Sequence, residues 1–314
     1  MSSSFFDTEK SLLEKYSIPL SDALNATLFI KRDDLIDEWV SGNKWRKLKY
    51  NVEQAFQLHK IGVLTFGGAF SNHLIATAKA CKKVGLKSIG VVRGEELTPS
   101  SNSTLQNCSD LGMELLFITR EEYKKRNDYA YLASWKDRFK SYLIVPEGGA
   151  NYHGVIGCQE IMLETPNDFD HVFLAAGTGT TAAGVITAVS PKTQVHVVEV
   201  LKGDFLKKEV AQCIQMVYND KVITDNVLLK HSFIPDSFGG YAKWNEKLID
   251  FVRFFYSETA VKLDLVYTAK VVYAWREKVL DGTIKPSDKV LFIHTGGVQG
   301  MADIKDKQGY QLYN

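Results

Sequence analysis

Lys44, Arg46 and Lys47 fall within one helical turn, and no acid follows them before Glu53. Gly42-Asn43 ahead of them is turn chemistry. Trp45, Leu48, Val52, Ala55 and Phe56 recur at helical spacing, so the stretch predicts a helix that opens on three cations. The first turn of a helix carries roughly +0.5 of partial charge and ordinarily recruits Asp or Glu. Cations there cost free energy unless an anion is bound, and helix N-termini are ready anion sites. A solvated basic face is the other reading this turn allows by itself.

A second stretch also suits an anion. Strand-like residues 172–176 run into Gly177-Thr178-Gly179-Thr180-Thr181-Ala182-Ala183-Gly184. Glycines let backbone N–H groups approach a phosphate, hydroxyls add donors, and the following helix adds its positive end. A dinucleotide fingerprint needs its third glycine sooner, and a nucleoside-triphosphate loop needs Gly-Lys-Ser/Thr. An ordinary tight turn is the alternative. Small polar residues in a row without an acid favour the phosphate.

Three further turns carry reactive side chains. Phe66-Gly67-Gly68-Ala69-Phe70-Ser71-Asn72-His73 joins a strand to a helix, with Ser71 or Asn72 as the N-cap. A cap does not require Ser, Asn and His together, and no Asp partner or nucleophile spacing makes a hydrolase triad. His294-Thr295-Gly296-Gly297 ends an apolar run. Tyr241 ends Phe238-Gly239-Gly240, and Tyr267 stands just before helical sequence. Tyrosines at such places also serve as amphipathic packing residues.

The elements that must position these residues alternate. Strand-like runs at 63–66, 88–92, 114–118, 142–145, 171–175, 195–200 and 289–294 are separated by helical sequence at 74–84, 121–140 and 181–189. Such alternation implies parallel sheets covered on both faces, with ligands beyond the carboxyl ends of the strands. Two series of this kind imply two closely packed lobes, with residues 146–151 as a crossover. The chain has 314 residues, 45% of them hydrophobic, and a net charge of +1. That size supports a large core, and the balanced charge argues against a polyanion-binding protein. The N-terminal stretch lacks the apolar core of a signal peptide, and no apolar run is long enough to span a membrane, so a cytoplasmic protein is expected. Cys81, Cys108, Cys158 and Cys213 are scattered without Cys-x-x-Cys. They read as buried reduced thiols, with no metal site.

Taken in order, the motifs resemble the pyridoxal-phosphate enzymes of the tryptophan-synthase β-like fold. The branch they are similar to holds D-cysteine desulfhydrase and 1-aminocyclopropane-1-carboxylate deaminase. The match rests on Ile30-Lys31-Arg32-Asp33-Asp34, Gly42-Asn43-Lys44 with Arg46-Lys47-Leu48, Gly67-Gly68 with Ser71-Asn72-His73, and Gly177 to Thr181. It continues through Leu263-Asp264 with Val266-Tyr267-Thr268 and His294-Thr295-Gly296-Gly297. The resemblance implies two α/β/α lobes with mostly parallel sheets: a large domain of residues 1–48 and 152–314 and a small one of 49–151. It also implies a homodimer.

On the same resemblance, Lys44 is the Schiff-base lysine of pyridoxal 5'-phosphate. Lys47 with Gly177, Thr178, Gly179, Thr180 and Thr181 holds the phosphate, and Asn72 lies beside the ring. Ser71, Asn72 and His73 receive the substrate, and Ser71, Tyr241 and Tyr267 take part in the chemistry. Thr268 and Thr295 stand where the deaminases carry Glu and Leu, which resembles the desulfhydrases. A hydroxyl is a weaker partner than a carboxylate for the ring nitrogen. The implied activity is a lyase acting on a small D-amino acid, first D-cysteine. The deaminase is the alternative, as is a cofactor-binding protein with little catalysis. Phe70, Leu265 and Ala269 depart from the usual Gln, Pro and Gly of the branch.

Overall fold

The structure, a computed structural model, describes residues 7–21, 24–37, 40, 42–166, 168–203, 205–297 and 312–313. The chain opens with a hairpin, β1 (Leu13–Ser21) and β2 (Leu24–Lys31), and then enters helix α1 (Gly42–Gln57). The first α/β series follows: β3 (Gly62–Gly67), α2 (Asn72–Val84), β4 (Lys87–Arg93), α3 (Ser103–Asp110), β5 (Met113–Ile118), α4 (Arg120–Lys124), α5 (Tyr129–Arg138) and β6 (Tyr142–Val145). The second comprises α6 (Tyr152–Leu163), β7 (His171–Ala176), α7 (Thr180–Ile186), β8 (Gln194–Glu199), α8 (Leu206–Tyr218), α9 (Lys221–Leu228) and β9 (Ser232–Ile234). It closes with α10 (Glu246–Thr259), α11 (Thr268–Leu280) and β10 (Val290–Ile293).

These strands form a six-stranded sheet in the order β1-β2-β10-β7-β8-β9 and a four-stranded sheet in the order β5-β4-β3-β6. Every pairing is parallel except that of β1 with β2. Strand alternation builds the layers. Phe173 and Ala175 of β7 face α10 and α11, packing with Val252, Phe255, Val272 and Trp275. Val172 and Leu174 face the other way, with Val155 and Ile161 of α6 and Val185 of α7. The small sheet repeats the pattern. Leu64 and Phe66 pack on Tyr123 and Trp135, while Val63 packs on Ala55 and Cys81. The two α/β/α layers are those expected from the sequence.

Two expectations change. The helix expected over 121–140 is two helices, because the Asp128 side chain accepts from the N–H of Tyr131 and starts a new one. The lobe boundary expected at 48/49 falls inside α1, which runs unbroken to Gln57 and packs on both α6 and α2. The division into lobes is kept as a proposal, with α1 as their shared element. At the crossing of α1 and α6, a Cβ on Gly157 would lie 2.0 Å from the Arg46 carbonyl oxygen, so the helices meet backbone to backbone. The four cysteines are buried free thiols. Among the described residues no helix is long and apolar enough to cross a membrane.

Candidate active site

The sheet geometry brings the chemistry-bearing turns together at the N-terminus of α1. A Cβ on Gly42 would lie 2.8 Å from the Thr295 carbonyl oxygen, so the helix start is pressed against the segment leaving β10. Asn43 donates from Nδ2 to Thr181 Oγ1 at 3.0 Å and accepts at Oδ1 from Lys44 Nζ at 3.1 Å. The basic turn, the threonine turn after β7 and the end of β10 therefore share one site.

The three cations that open α1, Lys44, Arg46 and Lys47, have separate environments. Arg46 is fully buried and saturated: it pairs with Asp33 through Nε and Nη2, each at 2.7 Å, and with Glu164 through Nη1 and Nη2, each at 2.8 Å. Burial opposes its charge, but the two carboxylates more than offset this and raise its pKa. Lys47 is 2% exposed and makes no hydrogen bond or ion pair among the described residues; burial depresses its amine. Lys44 is partly buried, and its amine falls to about 7, first through burial and then through repulsion by Lys47. The turn thus holds one structural guanidinium and two amines without a protein anion.

Arg46 gives a stability prediction. Arg46→Met leaves Asp33 and Glu164 without their shared counter-charge and is expected to lose about 3–5 kcal/mol of unfolding free energy, measured in urea. Glu164 is held at about 2, because Arg46 and Lys31 outweigh the opposing effect of burial. Its pKa is lowered on folding, so its contribution is present above the ordinary carboxylate range and fades as pH falls toward 2.

The phosphate-type cup is deeper than its own turn. Gly179 caps α7 without a side-chain acceptor, and Thr180 Oγ1 is buried with no nitrogen or oxygen partner among the described residues. Thr178 lies against Gly148, where a Cβ would come within 2.8 Å of Thr178 Oγ1. A Cβ on Gly149 would lie 3.1 Å from Lys47 Cβ. Both glycines have left-handed backbones, with φ of 67° and 70°. The segment expected to be a crossover is therefore also a wall of the site.

On the opposite wall, Ser71 caps α2, accepting from the N–H groups of His73 and Leu74 at 3.2 and 3.3 Å. Its hydroxyl hydrogen remains for a ligand. The Asn72 amide is partly buried and makes no hydrogen bond among the described residues. His73 qualifies an expectation. It is 2% exposed, with Nε2 3.0 Å from Thr65 Oγ1, and Thr65 itself donates to the Val145 carbonyl. Burial and the nearby Lys44 and Lys47 hold His73 at about 3. It is a neutral ring packed beneath the site, with Nδ1 buried and without a hydrogen-bond partner among the described residues, and its contact with substrate is kept as a proposal.

Thr268 corrects another. Its hydroxyl donates to Asp264 Oδ2 at 2.7 Å and accepts from the Asp264 N–H at 2.8 Å, and it is fully buried. Its proton is committed to this cap and does not serve a ring nitrogen. Thr295, 7% exposed and beside Asn43, keeps that place open to a hydroxyl. Tyr267 follows in the same cap, its N–H donating to Asp264 Oδ1. Burial, then the neighbouring Tyr241 and Asp264, push its hydroxyl pKa well above 10.0. The Tyr241 ring meets it edge-on at 6.2 Å and is 47% exposed, at the mouth. Leu265 and Ala269 are fully buried in the core, so those departures concern packing, whereas Phe70 is exposed.

A buried lone amine, a threonine turn whose Thr180 hydroxyl has no nitrogen or oxygen partner among the described residues, and a glycine-lined wall fit a dianionic phosphate, and a second amine of lowered pKa beside them fits a carbonyl electrophile. Comparison with known proteins agrees. A family profile described as "Pyridoxal-phosphate dependent enzyme" matches residues 15–296. A bifunctional D-cysteine desulfhydrase/1-aminocyclopropane-1-carboxylate deaminase of Arabidopsis thaliana is 30% identical over 308 residues, 91% of this chain and 76% of that protein. A D-cysteine desulfhydrase of Yersinia pestis is 29% identical over 92% of each chain. A solved structure described as an ACC deaminase homologue superposes with a TM-score of 0.78 at 26% identity, over 98% of both chains.

Proposed function

Because the chain belongs to the pyridoxal-phosphate-dependent enzyme family, we propose that this lyase cleaves D-cysteine to pyruvate, hydrogen sulfide and ammonia. The observation that carries the lyase reading is the pair of amines, Lys44 and Lys47, that have no ion-pair partner among the described residues and stand on the helix start that Asn43 ties to the threonine turn. Thr295 in place of the deaminases' Leu supports the desulfhydrase over the deaminase.

Lys47, Thr178, Thr180 and the N–H groups from Gly177 to Thr181 would hold the phosphate of pyridoxal 5'-phosphate. When bound, this cofactor supplies the electron sink that makes a Cα proton labile. Lys44 would hold the cofactor's aldehyde through its neutral amine, and as a free amine it would take a proton at Nζ. An amine near 7 is about half neutral at neutral pH, which suits both tasks. Ser71 and Asn72 supply donors for a carboxylate. Tyr267 stays protonated across the working range, and Tyr267 and Tyr241 orient the substrate or transfer a proton at their hydroxyls. The homodimer implied by the resemblance is part of the same proposal, and light scattering reads it directly.

The amine gives a pH prediction. Uptake of the cofactor by the apoprotein should speed up as pH rises through about 7 and level off above, because only neutral Lys44 reacts. An unperturbed amine would place the rise near 10.5. The substrate is tested with D-cysteine, L-cysteine, D-serine and 1-aminocyclopropane-1-carboxylate. Pyruvate from D-cysteine is the expected product. 2-Oxobutanoate from the cyclopropane alone would put the deaminase first. Bound cofactor with no product from any of them would leave a binding protein.

A further inference from the structure

Behind the tyrosine pair lies a buried ion pair that the reaction does not use. Lys270 Nζ is 2.7 Å from Asp236 Oδ1, with side chains only 1% and 2% exposed. Both partners also grip one loop. Asp236 Oδ2 accepts from the N–H groups of Phe238 and Gly240, and Lys270 Nζ donates to the Gly240 carbonyl at 2.7 Å. Gly239 and Gly240 have φ of 101° and 104°, which side-chain-bearing residues rarely adopt, so the loop is held in one special shape. The next residue is Tyr241. Lys270 lies one turn into α11, and Tyr267 immediately precedes that helix.

We infer that Lys270 and Asp236 are positioning residues that fix Tyr241 against Tyr267. The inference rests on the reading that these tyrosines face the substrate. Buried ion pairs seldom add stability over apolar residues of similar volume, so a charge pair kept here is better explained by the geometry it specifies. One helix start sets Tyr267 directly and Tyr241 through the clamp, which gives both rings a common rigid reference. Asp236 and Lys270 themselves line a cavity of about 120 Å³, with Val198, Ile234, Phe238 and Tyr273 among others, and its lining includes none of Lys44, Ser71 or the threonine turn. The pair therefore acts from outside the site. A misplacement of about 1 Å in a positioned group is worth up to about 100-fold in rate.

Lys270→Met alone strands the Asp236 charge, so the informative variant is Lys270→Met/Asp236→Leu, which replaces both charges with apolar groups. It is expected to keep its bound-cofactor absorbance and nearly its full thermal midpoint. Gly240 amide exchange should become about tenfold faster or more. On whichever amino acid the wild type turns over, kcat should fall about tenfold or more with KM changing less. Tyr241→Phe should then cost nothing further in that background, although it costs activity in the wild type. Asp236→Asn is a second variant, expected to speed Gly240 exchange by a smaller factor. Unchanged Gly240 exchange, or a Tyr241→Phe loss that multiplies independently, would overturn the clamp. If the wild type turned over no amino acid, the functional reading would fail. Gly240 exchange and the Tyr241–Tyr267 ring contact, read by NMR, would then decide the clamp alone.

Discussion

Lys44→Ala protein is expected to fold, to lose the visible absorbance of the bound cofactor and to turn over its amino acid roughly 1,000-fold more slowly or worse. Among the described residues the Lys44 side chain makes a single hydrogen bond, to Asn43, and Lys47 repels it, so its removal takes little from the fold. The thermal midpoint of the apoprotein should be equal to that of the wild type or higher. Two chemical tasks disappear together: the amine that joins the cofactor and the base that takes a proton. Lys44→Arg sharpens the point. It keeps the charge but cannot lose a proton in the working range, so it should be as inactive as the alanine variant. Near-wild-type turnover by Lys44→Arg would mean that charge, not a free amine, is what the position supplies.

Lys47→Met is expected to act in opposite directions on the two states of the protein. In the apoprotein it removes a buried cation that has no anion, and stability should rise by about 1–3 kcal/mol. In the loaded protein it removes the charge facing the phosphate, and cofactor affinity should fall about 30-fold or more, since loss of one partner of a buried charge pair costs about 2 kcal/mol or more. Inorganic phosphate provides a check without the cofactor. It should raise the melting temperature of the wild-type apoprotein by linkage and do little for Lys47→Met. A lower apoprotein stability in Lys47→Met would show that the side chain is valued for its packing instead. The variants also part on absorbance. Lys47→Met should recover the visible band at high cofactor concentration, whereas Lys44→Ala should not recover it at any concentration.

The central parallel strands were legible because they are buried on both faces and read as short apolar runs, as Val63 to Phe66 and Val172 to Ala176 do, whereas the short, half-exposed edge strand β9 was not. The glycine turns were legible for the same reason: they end those runs. The β1–β2 hairpin was not, since its alternation is mixed with exposed and charged positions and its pairing with β10 joins residues far apart in sequence. The basic turn was read as one feature. Only the fold separates Arg46, matched to Asp33 and Glu164 from elsewhere in the chain, from Lys44 and Lys47, which have no such acids. The burial of His73 was not legible because its environment is set by Thr65 on the neighbouring strand and by Gly149 across the site. Thr268 was a more avoidable error. Asp264 stands four residues earlier, and a carboxylate in that place before a helix is a capping signal that claims nearby hydroxyls and N–H groups. The wall at Gly148–Gly149 needed the sheets to be assembled, because nothing local says that residues 146–151 return to Lys47.

The central claim is the bond between Lys44 and the cofactor. Borohydride reduction of the loaded protein, followed by peptide mass mapping, tests it without reference to any substrate. The account predicts a single phosphopyridoxyl group on the peptide that contains Lys44, and none after Lys44→Ala. A label on Lys47 or another lysine, or an unlabelled Lys44 peptide from a protein with full cofactor absorbance, would contradict it.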